Sequence, residues 1–221
     1  YTLQEAVRDS FLVKNTYDNL ETVSPGKMQQ KWNIAVRTGA EMDAGKTFTI
    51  KDTFQTPKVN KIESTTLKHY AIKSKLDEQL RANMSLYWVN GDQSNQESLS
   101  KVLGRFPGVN VTFKYYKEDG TEAQNDDDHV TSFEIKVDWK NATTYPNLII
   151  TQLNANKYTS YVEDVSSLKA GETLTVTNTV ECGGKRDAES SYTKPAAKNP
   201  QLVKRASGDV YSGSDESASG E

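Results

Sequence analysis

Three polar side chains occupy positions that the alternation of their strands predicts to face the protein interior. Asn178 lies in a strictly alternating segment and has the parity of its apolar residues, while threonines hold the other parity. In the same way, Asp52 has the parity of Phe48, and Lys14 has the parity of Leu12. A buried amide or charged group without a partner costs several kcal/mol. An amine, an acid and an amide on inward faces therefore predict one shared site.

The composition limits what kind of protein surrounds this site. The chain has 221 residues, of which 35% are hydrophobic, so it is long enough for one large domain or two small ones. Its net charge of −3 gives no reason to expect nucleic acid or an anionic membrane as a partner. No apolar run reaches the ~18 residues that a membrane-spanning helix needs. The single cysteine excludes an internal disulfide framework.

Segments that alternate with a period of two outnumber those with a helical period, which predicts an all-β sandwich. Turn signals such as Ser24-Pro25-Gly26 separate the segments. Leucines four apart favour one short helix, and Ser94–Glu97 reads as a capping box that starts a second. We expect strands at 11–17, 28–36, 47–54, 59–67, 86–89, 109–116, 131–139, 148–153, 157–162 and 173–180, and helices at 73–84 and 96–105.

The distribution of patterned segments predicts one domain over residues 11–184. Residues 1–10 carry no strand pattern, and we expect them to be a lead-in or the tail of a preceding module. Residues 185–221 are polar and predict a flexible linker that runs into a following module. The segment 12–19 is echoed by residues 202–209, which agrees with the start of another module.

Several segments resemble one known family. They are Leu12-Val13-Lys14, Ser24-Pro25-Gly26-Lys27 running into Trp32-Asn33-Ile34-Ala35-Val36, the stretch from Gly45 to Phe54, and the stretch from Gly171 to Val180. In this order they resemble the immunoglobulin-like modules of Gram-positive surface adhesins and pilins, and more closely the collagen-adhesin A-type module. The resemblance implies an immunoglobulin-like β-sandwich with one or two short helices in an insert. Residues 55–130 match the family poorly.

Modules of this family often carry an intramolecular isopeptide bond between a lysine of the first strand and an asparagine of the last. An acid on a neighbouring strand promotes the reaction. The resemblance therefore assigns the cross-link to Lys14 and Asn178, and the promoting acid to Asp52. Burial favours the neutral forms of amine and acid, so the amine becomes a nucleophile and the protonated acid can polarise the amide carbonyl. Such a self-reaction turns over once and does not make the protein an enzyme.

Other readings of these residues stay open at this point. Lys14 on an edge strand would reach water, Asp52 would cap a turn, and Asn178 would bond the backbone at a strand end. Lys27 and Lys31 are alternative nucleophiles, although their parity is opposite to that of the apolar residues of their strand.

Three further features are weighed as sites. The acidic loop at residues 118–128 favours a solvated hairpin tip, because it lacks the spacing of a calcium loop. Cys182 has no histidine pattern nearby and reads as an incidental thiol. Five tyrosines favour packing on the sheets over a ligand-facing patch: Tyr115, Tyr116, Tyr145, Tyr158 and Tyr161. We expect no metal and no cofactor.

The function predicted is a stalk module of a bacterial cell-surface adhesin or pilus-like protein, stabilised by the cross-link. The module would be monomeric and extracellular, anchored to the cell wall within a longer protein, with neighbouring modules as partners. One alternative is a ligand-binding tip that contacts a host protein or glycan through the insert at residues 55–110. Another is a carbohydrate hydrolase, which needs two facing carboxylates that no acid pair in the sequence indicates.

Overall fold

The structure, a computed structural model, describes residues 11–197 and consists of two antiparallel β-sheets that pack face to face. This arrangement confirms the prediction of an all-β, immunoglobulin-like sandwich. The predicted lead-in at residues 1–10 and the echo at 202–209 lie outside the described residues.

The first sheet is built around one long strand, β12. Strand β12 pairs with β2 on one side and with β6 and β7 on the other, β1 pairs with β2, β10 pairs with β6, and β8 pairs with β7. Its strands are β1 (Phe11–Ser24), β2 (Lys27–Arg37), β6 (Lys68–Ile72), β7 (Met84–Asn90), β8 (Gln93–Ser98), β10 (His129–Val130) and β12 (Leu148–Glu163).

The second sheet has the order β5-β4-β13-β3-β11-β9, with β14 paired to β13. Its strands are β3 (Thr47–Phe54), β4 (Lys58–Val59), β5 (Ile62–Glu63), β9 (Asn110–Tyr116), β11 (Ser132–Asp138), β13 (Thr173–Glu181) and β14 (Lys185–Thr193). Alternate residues of each inner strand are buried, so one core fills the space between the sheets.

Within the described residues, three short α-helices flank the sandwich: α1 (Ala40–Gly45), α2 (Lys73–Ala82) and α3 (Leu99–Arg105). Helix α2 forms because Leu76 and Leu80, one turn apart, are both fully buried against the first sheet. Both α2 and α3 lie in the predicted insert. None of the helices in residues 11–197 is long and apolar enough to cross a membrane.

Two predictions for the insert are wrong. The supposed capping box ends a strand instead, because Glu97 turns inward to accept hydrogen bonds from Trp88 Nε1 and Arg105, and α3 starts only at Leu99. Residues 59–67 do not form one strand. They contain the small β4–β5 hairpin, whose turn places Asn60 and Lys61 at positive φ.

The sequence predicts a linker from residue 185, whereas Lys185–Thr193 form β14 along the whole length of β13. In the second half of β14, the alternate residues Ala188, Ser190 and Tyr192 are half-buried, and Ala188 and Tyr192 pack against the core. Ser190 Oγ also donates a hydrogen bond of 2.6 Å to Gln30 Oε1 in the opposite sheet. The small and polar residues of β14 hid this alternation.

Gly108 sits where two loops touch, and we expect that it cannot be replaced. Its φ is +100°, and an added Cβ would lie 2.3 Å from the carbonyl oxygen of Asn141. Gly108→Ala should lower the free energy of unfolding by about 2–4 kcal/mol, measured by urea denaturation. Gly104→Ala, in α3 with open space around it, is the matched control and should raise stability by about 0.5–1 kcal/mol. Equal stability of the two variants would contradict the assignment.

Candidate functional site

The core brings together the three residues that strand parity singled out. Lys14 on β1 belongs to the first sheet, whereas Asp52 on β3 and Asn178 on β13 belong to the second. The side chains of Lys14 and Asp52 are 0% exposed, and Asn178 as a whole is 0% exposed. The prediction that these residues face inward and share one place is met by the geometry.

Hydrogen bonds join the three side chains into one cluster. Lys14 Nζ lies 3.3 Å from Asp52 Oδ2. Asn178 Nδ2 donates to Asp52 Oδ1 at 2.6 Å and to the backbone carbonyl of Thr53 at 2.9 Å. Asp52 therefore contacts the amine with one oxygen and the amide nitrogen with the other.

Tyr158 is a fourth member of the cluster. Its hydroxyl lies 2.7 Å from Asp52 Oδ2 and 3.1 Å from Asn178 Oδ1, and it also accepts a hydrogen bond from Lys14 Nζ. The Lys14 amine lies 4.4 Å from the centre of the tyrosine ring and 5.5 Å from that of Trp32. The four residues are referred to below as the Lys14 cluster.

No pattern in the sequence assigned Tyr158 to this site. A bulge between Ala155 and Tyr158 changes the register of β12 against β2, and Lys157 within it has a φ of 60°. Beyond the bulge, both faces of β12 are buried, one by the core and the other partly by α2. Alternation of polar and apolar residues therefore did not identify which face pointed to the site.

Burial decides the protonation of the amine. Desolvation lowers the pKa of Lys14 from 10.5 to about 8, although the nearby Asp52 carboxylate works in the opposite direction. The pKa of Lys14 therefore lies about one unit above neutral pH, so part of the amine is neutral there. An unperturbed lysine, with a pKa of about 10.4, is almost fully charged at that pH. Desolvation and the same carboxylate raise the pKa of Tyr158 well above its usual value, so its hydroxyl keeps its proton.

A second buried network adjoins the Lys14 cluster through Trp32. The indole Nε1 donates to Ser160 Oγ at 2.8 Å, and Ser160 Oγ lies 2.7 Å from His69 Nε2. His69 Nδ1 lies 2.8 Å from the Gln55 carbonyl, which can only accept, so Nδ1 carries a proton. Burial lowers the pKa of the ring to about 4, so the ring is neutral at neutral pH. Ser160 is fully buried and serves this network rather than any surface site.

The alternative nucleophiles lie elsewhere. Lys31 pairs with Asp18 at 3.9 Å, and Lys27 lies over the ring of Tyr161 at 4.6 Å from its centre. Cys182 is buried, and burial raises the pKa of its thiol to about 11, which leaves little reactive thiolate at neutral pH.

The remaining candidates take structural roles. In the acidic loop, Asp119 and Asp128 accept hydrogen bonds from nearby backbone amides. Within residues 11–197 no group of three or more His, Cys, Asp or Glu side chains is arranged to hold a metal ion. Of the five tyrosines, Tyr115, Tyr158 and Tyr161 are buried, and the partly buried Tyr145 packs against the core, so these four pack as predicted. Tyr116 is partly exposed.

Comparison with known proteins finds similarity only at the level of structure. No family model matches the sequence, and no curated protein matches it. The chain is similar to the collagen-binding subdomain of the Enterococcus faecalis surface protein ACE, at 12% identity and a TM-score of 0.35, over 82% of this chain and 97% of that one.

It is also similar to the collagen adhesin of S. aureus, at 10% identity and a TM-score of 0.35, over 83% of this chain and 50% of that one. A major pilin subunit of Bacillus cereus gives 6% identity and a TM-score of 0.35, over 91% of this chain and 45% of that one. The chain thus spans about half the length of the latter two. Adhesins and pilins are the classes that the sequence motifs resemble. Similarity this low carries no weight for function, which is inferred below from the Lys14 cluster.

The network around His69 predicts a loss of stability in mild acid. The folded ring has a pKa of about 4, mainly through desolvation, against 6.5 for an unperturbed histidine. As the pH falls between these values, the unfolded chain binds a proton that the folded chain does not, so the free energy of unfolding decreases. The shift corresponds to about 3 kcal/mol once the pH is at or below 4.

His69→Gln should remove this contribution. We expect the loss of stability between about pH 7 and about pH 4.5, measured by urea denaturation, to be smaller in the variant by about 2–3 kcal/mol. His129→Gln, at the exposed second histidine of the chain, should keep the full pH dependence. The same pH dependence in both variants would show that His69 is not the group responsible.

Proposed function

We propose that Lys14 and Asn178 form an intramolecular isopeptide bond, promoted by Asp52. The observation that carries this proposal is the burial of an amine, a carboxyl and an amide in one cluster, in which the carboxyl contacts both the amine and the amide. In such a site no bulk water competes for the amine, and Asp52 and Tyr158 each contact both the amine and the amide, so proximity favours attack.

The reaction needs no outside reagent. Transfer of a proton from the Lys14 ammonium to Asp52, 3.3 Å away, produces a neutral amine and a neutral acid inside the core. The amine then attacks the side-chain carbonyl carbon of Asn178. One C–N bond forms, the bond to Nδ2 breaks, and ammonia leaves. The protein reacts with itself once and is not an enzyme.

The bond would join the first strand of one sheet to β13 of the other. It would close a loop of 164 residues, the difference between positions 178 and 14. By analogy with the loop-entropy treatment of disulfides, this closure is worth about 5 kcal/mol. Under tension the covalent path would carry the load past the hydrogen bonds of the intervening strands.

These properties suit a stalk module of a bacterial cell-surface adhesin or pilus-like protein. The chain would sit outside the cell, between neighbouring modules of a longer, wall-anchored protein. There it would hold a binding function away from the surface. A buried covalent staple is a useful means of stabilisation here, because the single cysteine leaves no internal disulfide to take its place.

Intact-mass spectrometry tests the bond directly. The described chemistry lowers the mass of the chain by one ammonia, about 17 Da. Lys14→Ala and Asp52→Ala should both have the mass calculated from their sequence, with no loss of ammonia. Lys14→Ala should also lower the free energy of unfolding by about 5 kcal/mol, because the cross-link is absent. Lys31→Ala, on β2 and paired with Asp18, is the control and should keep the mass deficit. A wild-type chain whose mass equals that calculated from its sequence would refute the cross-link.

A second candidate function, a ligand-binding tip, is favoured by one feature. An open groove of about 700 Å³ lies beside the insert, between the end of β3 and β6. Its lining mixes hydroxyl, amide and charged side chains, among them Gln55, Ser64, Lys68 and Glu118. Such a surface suits a polar partner, either a host protein or a glycan.

Binding to immobilised collagen and to a glycan array tests the tip function. If this groove is the contact surface, Lys68→Glu should weaken binding at least tenfold. Lys136→Glu, on β11 away from the groove lining, should leave it unchanged. Equal binding by both variants would exclude the groove, and no binding by the wild type would leave the stalk role as the function of the domain.

A further inference from the structure

The orientation of the Asn178 amide is set by its neighbours. The backbone carbonyl of Thr53 can only accept a hydrogen bond, so the amide atom 2.9 Å from it must be the nitrogen. Asp52 Oδ1 lies 2.6 Å from the same nitrogen. The carbonyl oxygen of Asn178 therefore faces away from Asp52 Oδ1 and lies 3.1 Å from the Tyr158 hydroxyl. The acid contacts the leaving nitrogen, and the tyrosine contacts the oxygen on which charge develops.

Tyr158 is held in place to act on that oxygen. The residue is 0% exposed, and its ring packs edge-on against Phe133 at 5.5 Å and tilted against Phe54 at 6.3 Å. Its single proton has two acceptors within reach, Asp52 Oδ2 at 2.7 Å and Asn178 Oδ1 at 3.1 Å. Before reaction the carboxylate is the stronger acceptor. Once Asp52 is protonated and Asn178 Oδ1 gains negative charge, Asn178 Oδ1 becomes the stronger acceptor of the tyrosine proton.

We propose that Tyr158 is a catalytic residue of the cross-linking reaction and donates the hydrogen bond that stabilises the oxyanion on Asn178 Oδ1. This inference rests on the proposed isopeptide bond. It also changes the role expected of Asp52, which the sequence predicts to polarise the amide carbonyl. In the structure Asp52 is placed to transfer protons, and the Tyr158 hydroxyl is the group that contacts the Asn178 carbonyl oxygen.

The steps balance with the residues present. Lys14 Nζ attacks the side-chain carbonyl carbon of Asn178, and the electron pair of the double bond moves to Oδ1, where it accepts the hydrogen bond from Tyr158. Asp52, which took the first proton when the Lys14 ammonium became neutral, gives that proton to Nδ2 of the intermediate and becomes a carboxylate again. The carboxylate then accepts the second proton, which Nζ releases after its attack. The C=O bond then re-forms, the bond to Nδ2 breaks and ammonia leaves. Tyr158 keeps its own proton throughout, in agreement with its raised pKa.

The experiment follows bond formation in time. The chain is made by cell-free translation with a short pulse of label, and the loss of about 17 Da is followed by mass spectrometry during the chase. Tyr158→Phe keeps the ring and removes the donor. We expect it to form the bond about 10²–10³-fold more slowly than the wild type, the usual effect of removing one oxyanion donor. Tyr161→Phe, on the same strand, should react at the wild-type rate.

The outcomes separate this inference from the proposal beneath it. A wild-type chain that never loses ammonia refutes the isopeptide bond itself. A wild type that reacts and a Tyr158→Phe variant that reacts equally fast refute only the role of Tyr158.

Folding is checked by resistance to trypsin. If Tyr158→Phe does not fold, 4-aminophenylalanine and 3-fluorotyrosine at position 158 replace it. Both keep the ring and a donor, and the rate must rise with donor acidity. Equal rates overturn the proposal.

Discussion

The structure depends on the burial of one amine. Removing the Lys14 ammonium from water costs several kcal/mol, and its charge is tolerated only because Asp52 lies 3.3 Å away and Tyr158 accepts a hydrogen bond. A group this unfavourable is hard to explain as stabilisation, since an apolar side chain would fill the same space at lower cost. Burial does, however, bring the pKa of the amine down to about 8, where a neutral nucleophile is accessible. The cost of burying the amine is understandable if a reaction such as amide formation removes the charge of Lys14.

The two sheets can be understood as the means of keeping this cluster dry. Lys14, Asp52 and Asn178 come from three different strands, and Lys14 reaches across from the opposite sheet to Asp52. Trp32 lies beside the Lys14 amine, and Phe54 and Phe133 pack against Tyr158. The neighbouring His69 is held neutral by the same exclusion of water. Cross-sheet contacts such as that between Ser190 and Gln30 hold the side of the sandwich near β1 and β14 together. An opening of a few ångströms on that side would admit water to the amine and favour its charged form.

Strand parity was enough to find Lys14, Asp52 and Asn178, because a period of two assigns every residue of a regular strand to one face. The same rule failed for Tyr158, which follows a bulge and lies where both faces of β12 are buried. A different rule, the helix-start motif, failed at the supposed capping box, because a local motif does not reveal that Glu97 pairs with Arg105 and Trp88. Strand β14 escaped notice since its half-buried face is made of small and polar residues. What sequence could not supply in each case was the tertiary partner.

The position of β14 has a mechanical consequence. Because this strand follows Asn178 in the chain, it lies outside the loop that a Lys14–Asn178 bond would close. A pull on the two ends of the domain could then peel β14 and the end of β13 from the sheet but could not unravel anything between the linked residues. The 15 residues from 178 to 193 correspond to on the order of 50 Å of extension. The domain would thus extend by this short length under load, and the covalent bond would then prevent further extension.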